Sequence, residues 1–244
     1  MKGIKRTKIY KALRKNQVTY FLYEKTIQKI RLALMKKNSK KDLEAKIEDV
    51  HALGYQIVEM AERILGELGL SYFAEFGTLL GFVREKGFIK WDDDLDYAFI
   101  LEDDSVWKKI EAKMVENGFS KIREFTFEGK ITEQCYQFGK ATIDIFSHRI
   151  TEGGKSTTIA YYRDPEIKYK HPDIVSVLYG EYVNLSQTML VTLDNGMNVH
   201  VPQNYDEYLT QVYGNWRIPD PNYKDGSGPV VKKLKGVYGH VEHF

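Results

Sequence analysis

Four carboxylates fall within five positions, Asp92-Asp93-Asp94-Leu95-Asp96, and the chain runs from them directly into the apolar stretch Tyr97-Ala98-Phe99-Ile100-Leu101. An acidic run joined to core-forming residues restricts the fold, because carboxylates held together repel and are costly unless a cation lies between them. If Asp94 to Asp96 begins a strand, side chains two apart face the same way, so Asp94 and Asp96 project together while Leu95 turns to the core. An oxygen-preferring ion such as Mg²⁺, or Mn²⁺ in its place, is the natural partner of such a pair. The alternative is a solvated acidic turn, against which stand the flanking Trp91, Leu95, Tyr97 and Phe99. A third acid, Asp144, lies among β-branched and aromatic neighbours in Ala141-Thr142-Ile143-Asp144-Ile145-Phe146. A buried aspartate needs pairing, hydrogen bonds or a metal, so Asp144 either completes a three-carboxylate metal site or bonds backbone at a strand end.

Apolar spacing supplies the frame around these acids. Leu43, Ile47, Val50, Leu53, Ile57, Met60, Ile64, Leu65 and Leu68 recur every three to four residues, which predicts a long amphipathic helix over 42–68. Strands are expected at 71–76, 95–101, 141–146, 174–179 and 198–201, and helices at 78–84, 107–117 and 205–213, with Asn204 as the cap of the last. The tail from Pro219 to Phe244 reads as glycine-rich loop. Helices alternating with strands favour a mixed α/β (α+β) sheet.

Charge divides the chain more sharply than its net value of +2 suggests. Residues 1–41 hold 14 Lys/Arg and one acid, Glu24, and the remainder holds 22 basic and 33 acidic residues. A basic arm of +13 therefore precedes an acidic body of −11 over 42–244, with Asn38-Ser39-Lys40-Lys41 as the expected hinge. Ile4, Ile9, Leu13, Phe21, Leu22, Ile27, Ile30, Leu34 and Met35 give the arm roughly helical spacing, the pattern of a helix lying on anionic lipid headgroups. The alternatives are a helix packed on the acidic body or a solvated one. No nucleic-acid recognition motif accompanies the charge. The opening Met-Lys-Gly-Ile-Lys-Arg lacks the apolar core of a secretory signal, so a cytoplasmic location is expected, peripheral on the inner face of the plasma membrane if the arm binds lipid.

The remaining chemistry precedes the acids. In Gly77-Thr78-Leu79-Leu80-Gly81, a glycine between strand and helix presents the unpaired N–H groups of a helix N-terminus, which favour phosphate. Thr78 offers a hydroxyl and Arg84 a guanidinium, although Arg84 could instead pair with Glu85 or Asp92. Cys135, the only cysteine, lacks a histidine at motif spacing and reads as structural. His148 and His171 read as loop histidines, and His240-Val241-Glu242-His243 as a terminal tail and not a metal site. Members of an aromatic cage for a cationic alcohol cannot be chosen among 17 tyrosines.

The segment from Tyr72 to Asp96, with Gly77-Thr78-Leu79-Leu80-Gly81, Arg84, Gly87 and Trp91-Asp92-Asp93-Asp94-Leu95-Asp96, resembles the signature of the LicD family of phosphocholine and related phosphoalcohol transferases. That family includes the fukutin-related proteins and belongs to the nucleotidyltransferase-fold superfamily. Asp144-Ile145-Phe146 and the stretch Tyr208 to Pro219 match its downstream features in order, so the likeness runs from about residue 45 to 223. The resemblance implies a nucleotidyltransferase-like mixed sheet flanked by helices. It also implies transfer of a phosphoalcohol from a CDP-activated donor to a hydroxyl of a cell-surface glycan, lipid-linked at the time, with release of CMP.

By that likeness Asp94, Asp96 and Asp144 are catalytic and bind Mg²⁺, and Gly77 and Thr78 with Arg84 hold donor phosphate. Asp92 and Asp93 support the site from the loop, and Asp144 is the candidate general base. Phe76, Phe82, Glu85 and Lys90 depart from the family pattern of glycine, a small residue, histidine and proline. Choline, glycerol, ribitol and ethanolamine all remain open as the transferred alcohol. Two rival readings are a nucleotidyltransferase releasing pyrophosphate and a non-catalytic glycan- or nucleotide-binding protein on the same fold.

Overall fold

The computed structural model describes the backbone of residues 17–162, 171–220, 223, 228 and 230–244, with side chains from residue 40 onward in those ranges. Residues 1–16 of the basic arm, with Ile4, Ile9 and Leu13, lie outside the described residues, as do the side chains of 17–39. Two compact units divide the chain, 1–45 and 46–244. What is described of the first is helical, and Lys40 meets Glu44 one turn on at 3.7 Å.

A single helix, α1 (Gln17–Glu67), carries the chain across that division. It passes unbroken through Asn38-Ser39-Lys40-Lys41, where the sequence predicts a hinge. Those four residues include no glycine or proline, and lysine is a good helix former. Within the second unit Val50, Ile57, Val58, Ala61, Ile64 and Leu65 are fully buried, as their spacing predicts.

The second unit continues as β1 (Tyr72–Ala74), α2 (Phe76–Arg84), β2 (Leu95–Ile100), α3 (Val106–Glu116), β3 (Ser120–Phe127), β4 (Lys130–Phe138) and β5 (Ala141–Ile150). There follow β6 (Ser156–Tyr162), β7 (Ile174–Tyr182), β8 (Thr188–Thr192), β9 (Asn198–Pro202), α4 (Tyr205–Tyr213) and β10 (Val231–His243). Eight strands form one mixed sheet in the order β1-β2-β5-β4-β3-β10-β7-β6, and β8 and β9 form a separate ribbon. Its one parallel pairing among the described residues is β2 with β5, which sets Asp96 opposite Asp144. Strand β6 pairs with β7 and also with β5, through His148 opposite Thr158. Six strands, β5-β4-β3-β10-β7-β6, thereby close into a ring from which β2 and β1 branch.

Two expectations are corrected. The tail is not mostly loop, because 231–243 is a strand inserted between β3 and β7. It pairs with β7 through 231–233 and 238–240 and with β3 through 240–243, while its lysines face outward and only Gly239 and Val241 are buried, so little apolar alternation marks it. Asn204 does not cap α4 with its side chain; its Nδ2 donates instead to the Asn184 carbonyl at 2.9 Å.

The core runs continuously from α1 through β1, β2 and β5 to Trp107, Ile110 and Met114 of α3 and Tyr208, Leu209 and Val212 of α4. One polar hub is embedded beside it. Glu62 of α1 accepts hydrogen bonds from Tyr72 Oη at 2.9 Å, Tyr97 Oη at 2.8 Å and the His200 backbone N–H at 2.8 Å, and its second oxygen meets His200 Nδ1 at 2.6 Å. These bonds fix α1 to β1, β2 and β9.

Candidate active site

The short strand β1 ends at Ala74, and the chain turns at Glu75 and Phe76 into α2. Phe76 adopts φ +40°, a left-handed conformation that costs a side-chain-bearing residue on the order of 1–2 kcal/mol. Its ring offsets this by packing edge-on against Phe146 at 5.3 Å between centroids. Gly77 follows, with the Asp92 carboxylate so close that a Cβ there would lie 3.1 Å from Oδ2. Gly81 lets the helix approach the return segment, since a Cβ would fall 2.6 Å from the Gly87 carbonyl. Both glycines thus hold the acidic loop against the N-terminal half of α2.

Thr78 is buried, and its hydroxyl oxygen accepts the Asp96 backbone N–H at 2.8 Å, while Glu75 N–H donates to the Asp96 carbonyl at 2.9 Å. These two bonds clamp β2 to the start of α2 and set the height at which Asp96 emerges. Thr78 therefore shapes the site from behind, whereas Gly77, Arg84, Asp92, Asp93, Asp94, Asp96 and Asp144 all line one cavity of about 980 Å³. Arg84 donates through Nε to Glu85 at 2.7 Å and through Nη1 to the Trp216 carbonyl at 2.9 Å. Lys46 of α1 reaches Asp93 at 3.3 Å.

The electrostatics at the cavity floor are those of an anionic cluster short of positive charge. Burial, the Asp144 charge and the Asp93 charge push the Asp94 carboxyl up to about 7. Asp96 is driven well above the usual carboxylate range by burial and then by Asp94 and Asp144. Asp144 is raised by burial, with Arg123 opposing, and its Oδ1 is buried with no hydrogen-bond partner. An all-oxygen set with an orphaned carboxylate oxygen fits a hard divalent cation. The three aspartates singled out in the sequence are brought together, and they are the residues that would hold one.

Two further groups were not legible beforehand. On β4, Glu133 is buried and held above its ordinary pKa by burial and Asp144, and Cys135 Sγ donates to it at 3.5 Å. Glu133, Cys135 and Asp144 each present a ligand atom within 4.8 Å of the others, the one set among the described residues gathered that closely and able to hold a metal. Burial pushes the Cys135 thiol up, which keeps it protonated and inert. Beneath β2 a buried trio forms: Tyr208 Oη donates to Glu75, whose carboxylate lies 3.4 Å from His148 Nε2. His148 is therefore no loop histidine but a fully buried member of β5, while His171 is exposed. The tail histidines His240 and His243 belong to β10, opposite Thr126 and Arg123.

Among solved structures, a lincosamide antibiotic adenylyltransferase LnuA bound to lincomycin superposes with a TM-score of 0.36 at 13% identity, covering 60% of this chain and 78% of that one. In sequence, the chain is 24% identical over 196 residues to the mouse (Mus musculus) ribitol-5-phosphate transferase FKTN, covering 75% of this chain and 37% of that protein. An uncharacterized protein of Rickettsia typhi, RT0683, is 34% identical over 92 residues, covering 38% of this chain and 27% of that protein. The chain thus spans roughly a third of the length of the curated relatives it matches. Residues 69–177, which run from the end of α1 through the acidic loop and Asp144 into β7, match the family described as LicD/FKTN/FKRP, nucleotidyltransferase domain. The likeness to that family lies in this segment, which holds Gly77, Asp94, Asp96 and Asp144.

Proposed function

We propose that this chain transfers a phosphoalcohol from a CDP-activated donor to a hydroxyl of a glycan and releases CMP. The observation that carries the reading is the convergence of Asp94, Asp96 and Asp144 on one cavity wall beside the N-terminus of α2. Asp94, Asp96 and Asp144 would hold Mg²⁺, or Mn²⁺, which when bound neutralises charge on the donor diphosphate. Gly77 leaves room for the donor beside the first-turn amides of α2, which have no intrahelical acceptor. Asp144 takes the proton of the acceptor hydroxyl as its oxygen bonds to phosphorus and the bond from phosphorus to the CMP oxygen breaks.

Ribitol is the first alcohol to test, because the mouse and human relatives are both ribitol-5-phosphate transferases. Glycan acceptors, lipid-linked on the cytoplasmic face, complete the reading, with residues 1–41 attracted to anionic lipid. No helix among the described residues is long and apolar enough to cross a membrane. Deletion of 1–41 is expected to reduce co-sedimentation with anionic vesicles, and unchanged co-sedimentation removes that part.

The deciding assay measures CMP release from CDP-ribitol, CDP-glycerol, CDP-choline and CDP-ethanolamine with Mg²⁺ and glycan acceptors, beside Asp96→Asn. Release from one donor, lost in the variant, supports the reading. Pyrophosphate release from a nucleoside triphosphate replaces it with nucleotidyl transfer. Silence joined to absent nucleotide binding leaves a non-catalytic binding protein.

A further inference from the structure

We propose that Arg123 is the anion-binding residue of this cavity, its guanidinium taking donor phosphate that the carboxylate wall by itself would repel. The proposal rests on the reading above, that the donor carries a diphosphate. Register alone places Arg123 in the site: it lies opposite Cys135, Cys135 opposite Asp144, and Asp144 opposite Asp96, so one cross-strand row joins β3, β4, β5 and β2. Residues in such a row share a face of the sheet, and Arg123 and Asp144 both line the cavity.

The hydrogen bonding of Arg123 is incomplete. Its Nε is buried without an acceptor. Its Nη2 lies 4.0 Å from Asp144 Oδ2, close enough for charge attraction and too far for a hydrogen bond. A guanidinium carries five N–H donors in a planar fork that matches phosphate oxygens two at a time. About a third of this side chain remains exposed, so an incoming anion can reach it.

The other cations on the same wall are committed. Arg84 gives Nε to Glu85 and Nη1 to the Trp216 carbonyl, which hold its fork in place, and Lys46 is engaged by Asp93. Among the described residues lining the cavity, Arg123 is thus the cation with a buried N–H left over. A diphosphate spanning the cavity would meet a cation held by the aspartates at one phosphate and Arg123 at the other. That division suits a leaving group whose negative charge grows as the phosphorus–oxygen bond breaks.

The test uses titration calorimetry on the full chain with Mg²⁺-CDP and with Mg²⁺-pyrophosphate, so the readout does not require turnover. Arg123→Gln is expected to weaken both by about thirtyfold, the range of a charge-assisted hydrogen-bond pair. Arg84→Gln is expected to stay within about threefold, as Glu85 and the Trp216 carbonyl already hold its guanidinium. Because Arg123→Gln also removes a countercharge from Asp144, Arg123→Lys is measured beside it and is expected to recover part of the affinity, with melting curves reporting folding of each variant. Wild-type affinity in Arg123→Gln overturns the proposal, as does a wild-type chain that binds neither ligand. Failure of the donor panel with an intact Arg123 effect removes the transfer reading alone. CMP release with unaltered KM in Arg123→Gln removes the Arg123 assignment alone.

Discussion

The Glu62 carboxylate on α1 and the carboxylates of Asp94, Asp96 and Asp144 around β2 and β5 are treated in opposite ways. Glu62 is met by Tyr72, Tyr97 and His200, so that both of its oxygens are bonded. Asp94, Asp96 and Asp144 line one cavity together, each raised in pKa, with one oxygen of Asp144 left without a partner. A carboxylate that only holds the fold together is given its donors in the sequence. The three aspartates are left wanting them, which is what the proposed role of holding a cation would require.

The sharpest way to break this comparison is to neutralise one member of each group. Asp96→Asn is expected to lower CMP release by about a thousandfold, ~4 kcal/mol in the barrier, as measured by kcat with saturating Mg²⁺. Glu62→Ala is expected to cost about 3 kcal/mol in urea unfolding, because three donors lose a shared acceptor, while a correctly folded fraction keeps its kcat. In metal-free protein near neutral pH the same Asp96→Asn is expected to raise stability by about 1–2 kcal/mol, since it relieves repulsion that nothing else offsets. A loss of stability there would show the acids to be structural.

The pH dependence sharpens the contrast. Asp94 holds its proton up to about 7 in the folded chain against 3.8 ordinarily, so the folded state binds more protons between those values. Stability of the metal-free protein is therefore expected to fall as pH rises from about 4 to 7 and to level off above, in melts with chelator; added Mg²⁺ should flatten the slope. The smallest effect belongs to Phe76→Gly, where released backbone strain offsets lost packing on Phe146, for a net change under about 1 kcal/mol in chemical denaturation.

Much of the frame could be read before the structure. The helix of 42–68, the Gly77 turn, the strand that begins after Asp94 and carries Asp96 and the strand carrying Asp144 all follow from apolar periodicity, and their acids stood out because they interrupt it. The hairpin β3–β4 did not stand out, and the reason is instructive. Its cavity-facing positions include Arg123 and Glu133, so polar residues occupy the face that should have shown apolar alternation. Arg123 and Glu133 were therefore missed in the site for the same reason that β3 and β4 were missed in the fold. Thr78 was expected to point its hydroxyl at phosphate, and its bond to Asp96 could not be inferred without the pairing of α2 with β2. His148 and Glu75 meet only through tertiary packing, which no local spacing encodes.

The closed ring of six strands has a consequence for how the chain must be assembled in the cell. Strand β10 lies between β3 and β7, although it is synthesised after both. A nascent chain that has already made Asp94, Asp96 and Asp144 still has an open gap beside β3 until residues 231–243 emerge from the ribosome. Until then the edges of β3 and β7 are exposed and able to pair wrongly. The wall that carries Arg123 is thus completed late in synthesis, after every acid of the cavity has been made.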